Sequence, residues 1–152
     1  MNDKQIIRTM KDEDYEKVRA LWLTISGFGI RSIDDSKEGV ISFIRRNPTT
    51  SIVCEEDGEI IGSILCGHDG RSACFYHVCV REDKRRQGIG RAMVQKALEA
   101  LHSENINKVT LIAFTKNDIG NKFWQNTGWK QVKDANMYEF TLNSENITNF
   151  NL

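Results

Sequence analysis

The sequence has little proline, no net charge and no long apolar stretch. Pro48 is the only proline in 152 residues, which excludes a proline-rich linker and a collagen-like repeat. Lys and Arg total 21, as do Asp and Glu. That balance argues against a nucleic-acid coat or a polyanion-binding surface, and no nucleic-acid partner is expected. No apolar run approaches the ~20 residues of a bilayer span. Residues 1–11 are too polar for a secretory leader, so no membrane association is expected and the cytoplasm is the expected location.

Cysteine is present without a pattern. Cys54, Cys66, Cys74 and Cys79 include no Cys-x-x-Cys pair and no zinc-finger spacing. All four lie in apolar runs and read as reduced thiols packed as small hydrophobes. His68, His77 and His102 do not cluster with acids at ligand spacing, and His-Glu-x-x-His is missing, so no metal is expected.

What remains is ordinary for one globular domain: 39% hydrophobic and 28% charged residues, long enough to bury a real core. The apolar period changes along the chain. Residues 6–8 read as a strand. Tyr15, Val18, Leu21, Trp22 and Ile25 recur at helical spacing behind the acids 12–14. Asp34, Asp35 and Ser36 can cap a second helix through Val40, Ile41 and Ile44, ended by Asn47-Pro48. Runs 51–55 and 59–66 flank Asp57-Gly58, a hairpin signal. A turn at 67–70 leads to an aromatic and β-branched strand, 73–80. Ile89, Met93, Val94, Ala97, Leu98 and Leu101 mark one face of a long helix. Then come a strand at 108–114, a helix at 117–126 with Ile119 and Phe123 facing inward, and closing strands at 129–132 and 137–142. The sum is an α+β fold, a mixed and mostly antiparallel sheet of about seven strands with about four helices. One domain spans 1–142, and the Asn-rich residues 143–152 form a flexible tail. Asn146-Ile147-Thr148 matches a glycosylation acceptor by chance.

The informative stretch is strand, basic loop, glycines, helix. A helix start exposes unpaired N–H groups and the positive end of the dipole. Gly88 and Gly90 remove side chains there, and Lys84, Arg85, Arg86 and Arg91 add positive charge. The pattern describes a cradle for an anion, a pyrophosphate fitting best. Arg91-Ala92 after Gly90 excludes a Walker A loop, and Met93 occupies the place where a dinucleotide fingerprint needs a small residue. By local spacing alone, a tight strand-to-helix turn with solvated basic residues fits equally well.

Arg85-x-x-Gly88-x-Gly90 after Val78-Cys79-Val80 resembles the acyl-CoA motif of the GNAT superfamily of N-acyltransferases, Arg/Gln-x-x-Gly-x-Gly/Ala. Asn117, Gly120, Phe123, Trp124, Gly128 and Trp129 resemble that family's later Asn-x-x-Ala-x-x-Phe-Tyr-x-x-x-Gly-Phe segment. The resemblance covers about residues 4 to 142 and includes the element order. It implies a GNAT-like fold and an acetyl-CoA-dependent N-acetyltransferase acting by direct attack of a primary amine on the thioester. It also implies a gap between strands 73–80 and 108–114 that receives the pantetheine arm.

By the same resemblance, Val78 and Val80 meet that arm through their backbone. Arg85, Arg86, Gln87, Gly88, Ile89, Gly90 and Arg91 surround the pyrophosphate. Asn117 meets the pantetheine, and Trp124 lines the thioester end. The family's usual thiolate acid is a Tyr at the place of Trp124, and an indole N–H cannot take that role. Water, Tyr76 or Tyr138 could supply the proton; alternatively the protein is an acyl-CoA-binding module without turnover. Candidate catalytic groups are Tyr76 and His77. Strict alternation puts Cys74, Tyr76, Val78 and Val80 on one face and Phe75, His77 and Cys79 on the other. That parity favours a structural His77, although its pKa suits a base better. Substrate choice falls to Trp22, Phe28, Arg31, Asp34, Asp35 and Tyr138. A homodimer is compatible with the resemblance.

Overall fold

The computed structural model describes residues 1–152. Strand β1 (Gln5–Thr9) leads through a short turn into helix α1 (Tyr15–Thr24), then β2 (Gly29–Arg31) and α2 (Lys37–Arg46). A meander follows: β3 (Ile52–Glu56), β4 (Glu59–His68) and β5 (Ala73–Val80). Helix α3 (Ile89–Ser103), strand β6 (Val109–Leu111), helix α4 (Asp118–Asn126) and β7 (Thr148–Phe150) complete the chain. Strands β1-β3-β4-β5-β6 form one sheet in that order, and β2-β7 a second.

The hairpin between β3 and β4 turns on Asp57 at φ +50° and Gly58 at φ +80°. Both central residues are left-handed, the arrangement that matches strand twist. Central β4 is buried from Ile60 to Gly67. The sheet is covered on both faces. Ile89, Met93, Ala97 and Leu101 of α3 pack with Ile52, Ile61, Ile64 and Phe75 on one side. Val18, Leu21, Trp22, Val40 and Ile44 of α1 and α2 pack with Val53, Leu65 and Cys79 on the other. Burial, chiefly, pushes the thiols of Cys66 and Cys79 up to about 12 and that of Cys54 to about 11. They are inert, and all four cysteines are free.

Ser36 caps α2, its hydroxyl accepting from the Gly39 N–H at 3.0 Å. A Cβ on Gly39 would lie 2.6 Å from the Asp34 carbonyl. The missing side chain therefore lets the Ile33–Asp34 loop lie against α2, which fixes where Asp34 and Asp35 stand.

The closing region differs from the sequence reading. Residues 129–132 and 137–142 form no strand, because nothing pairs with them. The tail holds β7, antiparallel to β2 with Gly29 opposite Phe150 and Arg31 opposite Thr148. Asn151 Nδ2 donates to the Trp22 and Ile25 carbonyls at 2.8 Å each. The Ile33 and Asp34 amides donate to Asn146 Oδ1. Polar side chains bonded to loop backbone hold this segment, so it carries no apolar period. Ile119 points to solvent rather than inward, since only one side of α4 meets the core.

One buried ion pair sets an acid limit on the fold. Arg8 donates to both oxygens of Asp14, at 2.7 and 2.8 Å, and the Lys11 amide adds a third bond. Burial pushes the Asp14 carboxyl up, but the Arg8 and Lys11 hydrogen bonds outweigh it and hold the group below its ordinary 3.8. A lowered carboxyl contributes stability that is full above 3.8 and lost as pH falls through the folded value. Asp14→Asn is expected to cost about 1–3 kcal/mol near neutral pH. The gap to wild type in chemical denaturation should close in acid.

Candidate active site

The site is built around β5. Its first residues pair in parallel with β6, from Ala73 opposite Val109 to Phe75 opposite Leu111. Pairing ends there, yet β5 runs on to Val80. The stretch from Tyr76 to Val80 therefore presents an unpaired backbone edge, and a wedge opens toward the carboxyl ends of the two strands.

On the opposite edge the register with β4 slips between Ser63 and Leu65. His77 sits in this bulge at φ +49°, a left-handed conformation that His adopts more readily than most residues. The bulge overturns strict alternation. Phe75, Val78 and Val80 pack toward α3 and α4. Cys79 packs toward α1 and α2, and so do His77, against Trp22 and Phe28, and Tyr76, against Phe43. Tyr76 and His77 thus share a face, which period-two reading excluded.

His77 is oriented from three sides. Its ring lies 4.7 Å from that of Trp22 and 5.1 Å from that of Phe28. Its Nε2 stands 2.9 Å from Asp35 Oδ2. A carboxylate only accepts, so Nε2 carries the proton and donates to Asp35, which leaves the Nδ1 lone pair free. Asp35 is itself fixed: its Oδ2 accepts from the Arg31 amide at 2.7 Å and its carbonyl from the Tyr15 hydroxyl at 2.7 Å. The His77 side chain keeps 17% of its surface exposed against 5% for Asp35, so the imidazole is reachable and its partner is not. Burial, with Cys74 beside it, pushes the Tyr76 phenol up to about 12; it stays protonated at neutral pH.

Beyond Val80 the chain turns into α3. No backbone N–H from Arg86 through Arg91 has a partner in the protein; the first amide of the helix to bond is Ala92, to the Gly88 carbonyl. Arg86 at φ +63° and Gly88 at φ +83° put two left-handed residues in this loop, a backbone conformation found in anion-binding nests. Gly90 lets α3 start against α4, since a Cβ there would lie 3.3 Å from the Phe123 ring.

A sequence model of the acetyltransferase (GNAT) family matches residues 5–129. The chain belongs to that family. An acetyltransferase of Sodalis glossinidius is 29% identical over 112 residues, which are 74% of this chain and 78% of that protein. The PaiA N-acetyltransferase of Thermoplasma acidophilum, solved with coenzyme A, superposes with a TM-score of 0.73 at 18% identity, over 90% of this chain and 94% of that one. An aminoglycoside acetyltransferase from an uncultured soil metagenomic sample, solved with sisomicin, gives a TM-score of 0.71 at 17% identity, over 93% and 98%. The GNAT fold and an acetyltransferase relationship follow.

Several residues of the cradle differ from expectation in role. Lys84 is neutralised by Glu56 at 2.5 Å; the cations without a carboxylate partner are Arg85, Arg86 and Arg91. Arg85 folds back, its Nε donating to the Val80 carbonyl at 3.0 Å. The Gln87 side chain accepts from Gln5 Nε2 at 2.7 Å and so faces β1. Ile89 is buried in the core and offers the cradle only its amide. Asn117 caps α4, its Oδ1 accepting from the Gly120 N–H at 2.9 Å, which leaves its own amide N–H groups free.

Trp124 is half-buried among Phe75, Phe123 and Trp129, with ring centroids 4.8 to 6.3 Å away. It is a packing residue of the wedge wall. Trp22 is a correction: it is fully buried, with Nε1 donating to Ser63 Oγ at 3.1 Å. It cannot touch a substrate and instead backs His77. Arg31, the last residue of β2, is exposed and 3.8 Å from Asp34 Oδ2. Tyr138 is exposed and makes no hydrogen bond. Sequence reading named Asp35 for substrate choice and missed it as the partner of His77, because the bond joins a loop to a strand bulge. No group of three or more His, Cys, Asp or Glu could hold a metal ion, and no helix is long and apolar enough to cross a membrane.

Proposed function

We propose that the protein transfers an acetyl group from acetyl-CoA to a primary amine by direct attack. One observation carries this reading: the unpartnered amides from Arg86 to Arg91 stand at the end of the open backbone edge of β5. A pyrophosphate fits the amides, and the amide-bearing pantetheine arm fits the edge as an added strand. Val78 and Val80 supply the backbone groups for that arm, with the free N–H groups of Asn117 beside it and Trp124 as an apolar wall. Arg85, Arg86 and Arg91 offset the phosphate charge. Acetyl-CoA, when bound, supplies the activated acetyl group.

The acceptor amine must lose a proton, and the free Nδ1 of His77, oriented through Nε2 by Asp35, is the base. The Val78 N–H serves as donor to oxygen charge that builds at the acyl carbon. The Tyr76 phenol, on the same face as His77, is the proton source for sulfur in place of Trp124. The acceptor enters past Phe28 and Arg31 on the α1–α2 side.

Calorimetric titration with acetyl-CoA, free CoA and ATP tests the cradle. Saturable binding, with acetyl-CoA tighter than ATP, is the expected result, and an amine panel should then release free CoA. No binding of either CoA species would overturn the reading. Tight binding with no turnover on any amine would leave an acyl-CoA-binding module.

A further inference from the structure

The loop between β5 and α3 is tied down by its own side chains. Lys84 Nζ bonds Glu56 Oε2, and Arg85 Nε donates to the Val80 carbonyl at 3.0 Å. Gln87 Oε1 accepts from Gln5 Nε2 at 2.7 Å. Among these tied residues stands Arg86, left-handed at φ +63°. A residue other than glycine keeps that conformation only where its surroundings hold it. Here the hold comes from its neighbours on both sides.

Two of these ties end on one buried pair. Gln5, which opens β1, lies directly opposite Glu56, which closes β3. Both are buried, a costly place for an amide and a carboxylate unless their polar atoms are bonded. They are: no buried side-chain nitrogen or oxygen lacks a partner. The Lys84 bond holds the Glu56 carboxyl below its ordinary 4.5, so Glu56 is ionised and can only accept. Gln5 must therefore turn its NH2 group to Glu56, and Nε2 donates to Oε1 at 3.0 Å. The Asn2 amide donates to Gln5 Oε1 at 3.0 Å, which fits the same orientation. The second N–H of Gln5 is left for the loop, where it meets Gln87 Oε1.

Resting on the acetyl-CoA reading of this loop, we infer that Gln5, oriented by Glu56, is a positioning residue for acetyl-CoA binding. It fixes the Gln87 side chain, and with it the loop whose amides receive the pyrophosphate. Gln5 is buried, so it acts through Gln87 rather than on the ligand. Lys84 and Gln87 lie on either side of Arg85 and Arg86, so the Gln5–Glu56 pair clamps the loop at two points. A loop ordered before the ligand arrives spares binding the cost of ordering it. A plain cross-strand pair would need only Lys84 as partner; the Gln5–Gln87 bond is the extra tie that reaches the cradle.

Calorimetric titration with acetyl-CoA compares wild type with Gln5→Met, Gln87→Met and the double variant. Methionine keeps the length of glutamine and removes its amide. Each single change should raise the dissociation constant about 10-fold, and the double change no further. In the ligand-free protein, the backbone amide resonances of Arg86 and Gly88 should move alike in both single variants. Unchanged affinity in either single variant would overturn the inference. So would effects that multiply to about 100-fold, as those of independent residues do. If Gln5→Met fails to fold by circular dichroism, Gln87→Met decides, since it alters a half-buried loop side chain. Weaker binding with a shifted Gln5 side-chain amide resonance would support the link, and unchanged affinity would overturn it. A wild type that binds neither acetyl-CoA nor CoA would overturn the site reading and this inference with it. A wild type that binds, with variants that bind equally well, would overturn this inference alone.

Discussion

Gly88→Val is expected to weaken acetyl-CoA binding by about 100-fold, close to 2.7 kcal/mol, while the protein still folds. Gly88 sits at φ +83° with nothing within 4 Å of the place a Cβ would take. A valine therefore clashes with no protein atom. It pays instead in backbone strain, about 1–2 kcal/mol for a left-handed residue, and it sets a side chain among the unbonded amides from Arg86 to Arg91. Straightening the loop to relieve the strain would redirect those donors. Gly58→Val is the control. Gly58 has φ +80° and equally open surroundings, but it lies in the β3–β4 hairpin, far along the chain from the cradle. Both variants should lose a similar few degrees in melting temperature, and only Gly88→Val should lose affinity in calorimetry. Equal affinity in all three proteins would remove the cradle from the CoA site.

Much of this cradle was legible in the sequence because its cause is local. A strand must stop at Val80, a helix must start near Ile89, and glycine is the residue that permits φ +83° between them. The meander was legible for the same reason: its apolar runs and the Asp57-Gly58 turn are short-range features. Charge could be counted but not assigned. Lys84 belongs to Glu56, which precedes it by a hairpin and a strand, so its contribution to the loop cancels.

The misses come from tertiary causes. The bulge at His77 is one residue against period two, and it moved every side chain after it to the other face. Residues 137–142 have the composition of a strand, but a strand exists only when an edge accepts it. The tail reads as polar and aperiodic, yet Asn146 and Asn151 bond it to loop carbonyls and amides more than 100 positions away. One signal could have been found. Gly29 leaves room for Phe150 and Thr148, whose side chains would lie 2.8 Å from a Cβ there.

His77→Gln is expected to lower kcat by about 10²–10⁴-fold, the usual worth of a positioned base, with acetyl-CoA affinity unchanged. Glutamine keeps an N–H that can donate to Asp35 and fills much of the space between Trp22 and Phe28, so the variant separates chemistry from packing. It has no group that takes a proton at neutral pH. Asp35→Asn tests the charge of its partner. The oxygen that faces His77 Nε2 also accepts from the Arg31 amide, so an asparagine keeps its carbonyl oxygen there and retains the ring tautomer, but it removes the negative charge that stabilises the imidazolium formed when the amine gives up its proton. Its kcat should therefore fall although His77 is intact. Tyr76, with its phenol pushed up to about 12, stays protonated at neutral pH, so Tyr76→Phe tests the proton source separately from the base. Full activity in His77→Gln would make the His77–Asp35 bond a brace for the bulge and pass the proton to water. A loss of activity matched by a lost fold would be read from circular dichroism, and the kcat of Asp35→Asn would then decide.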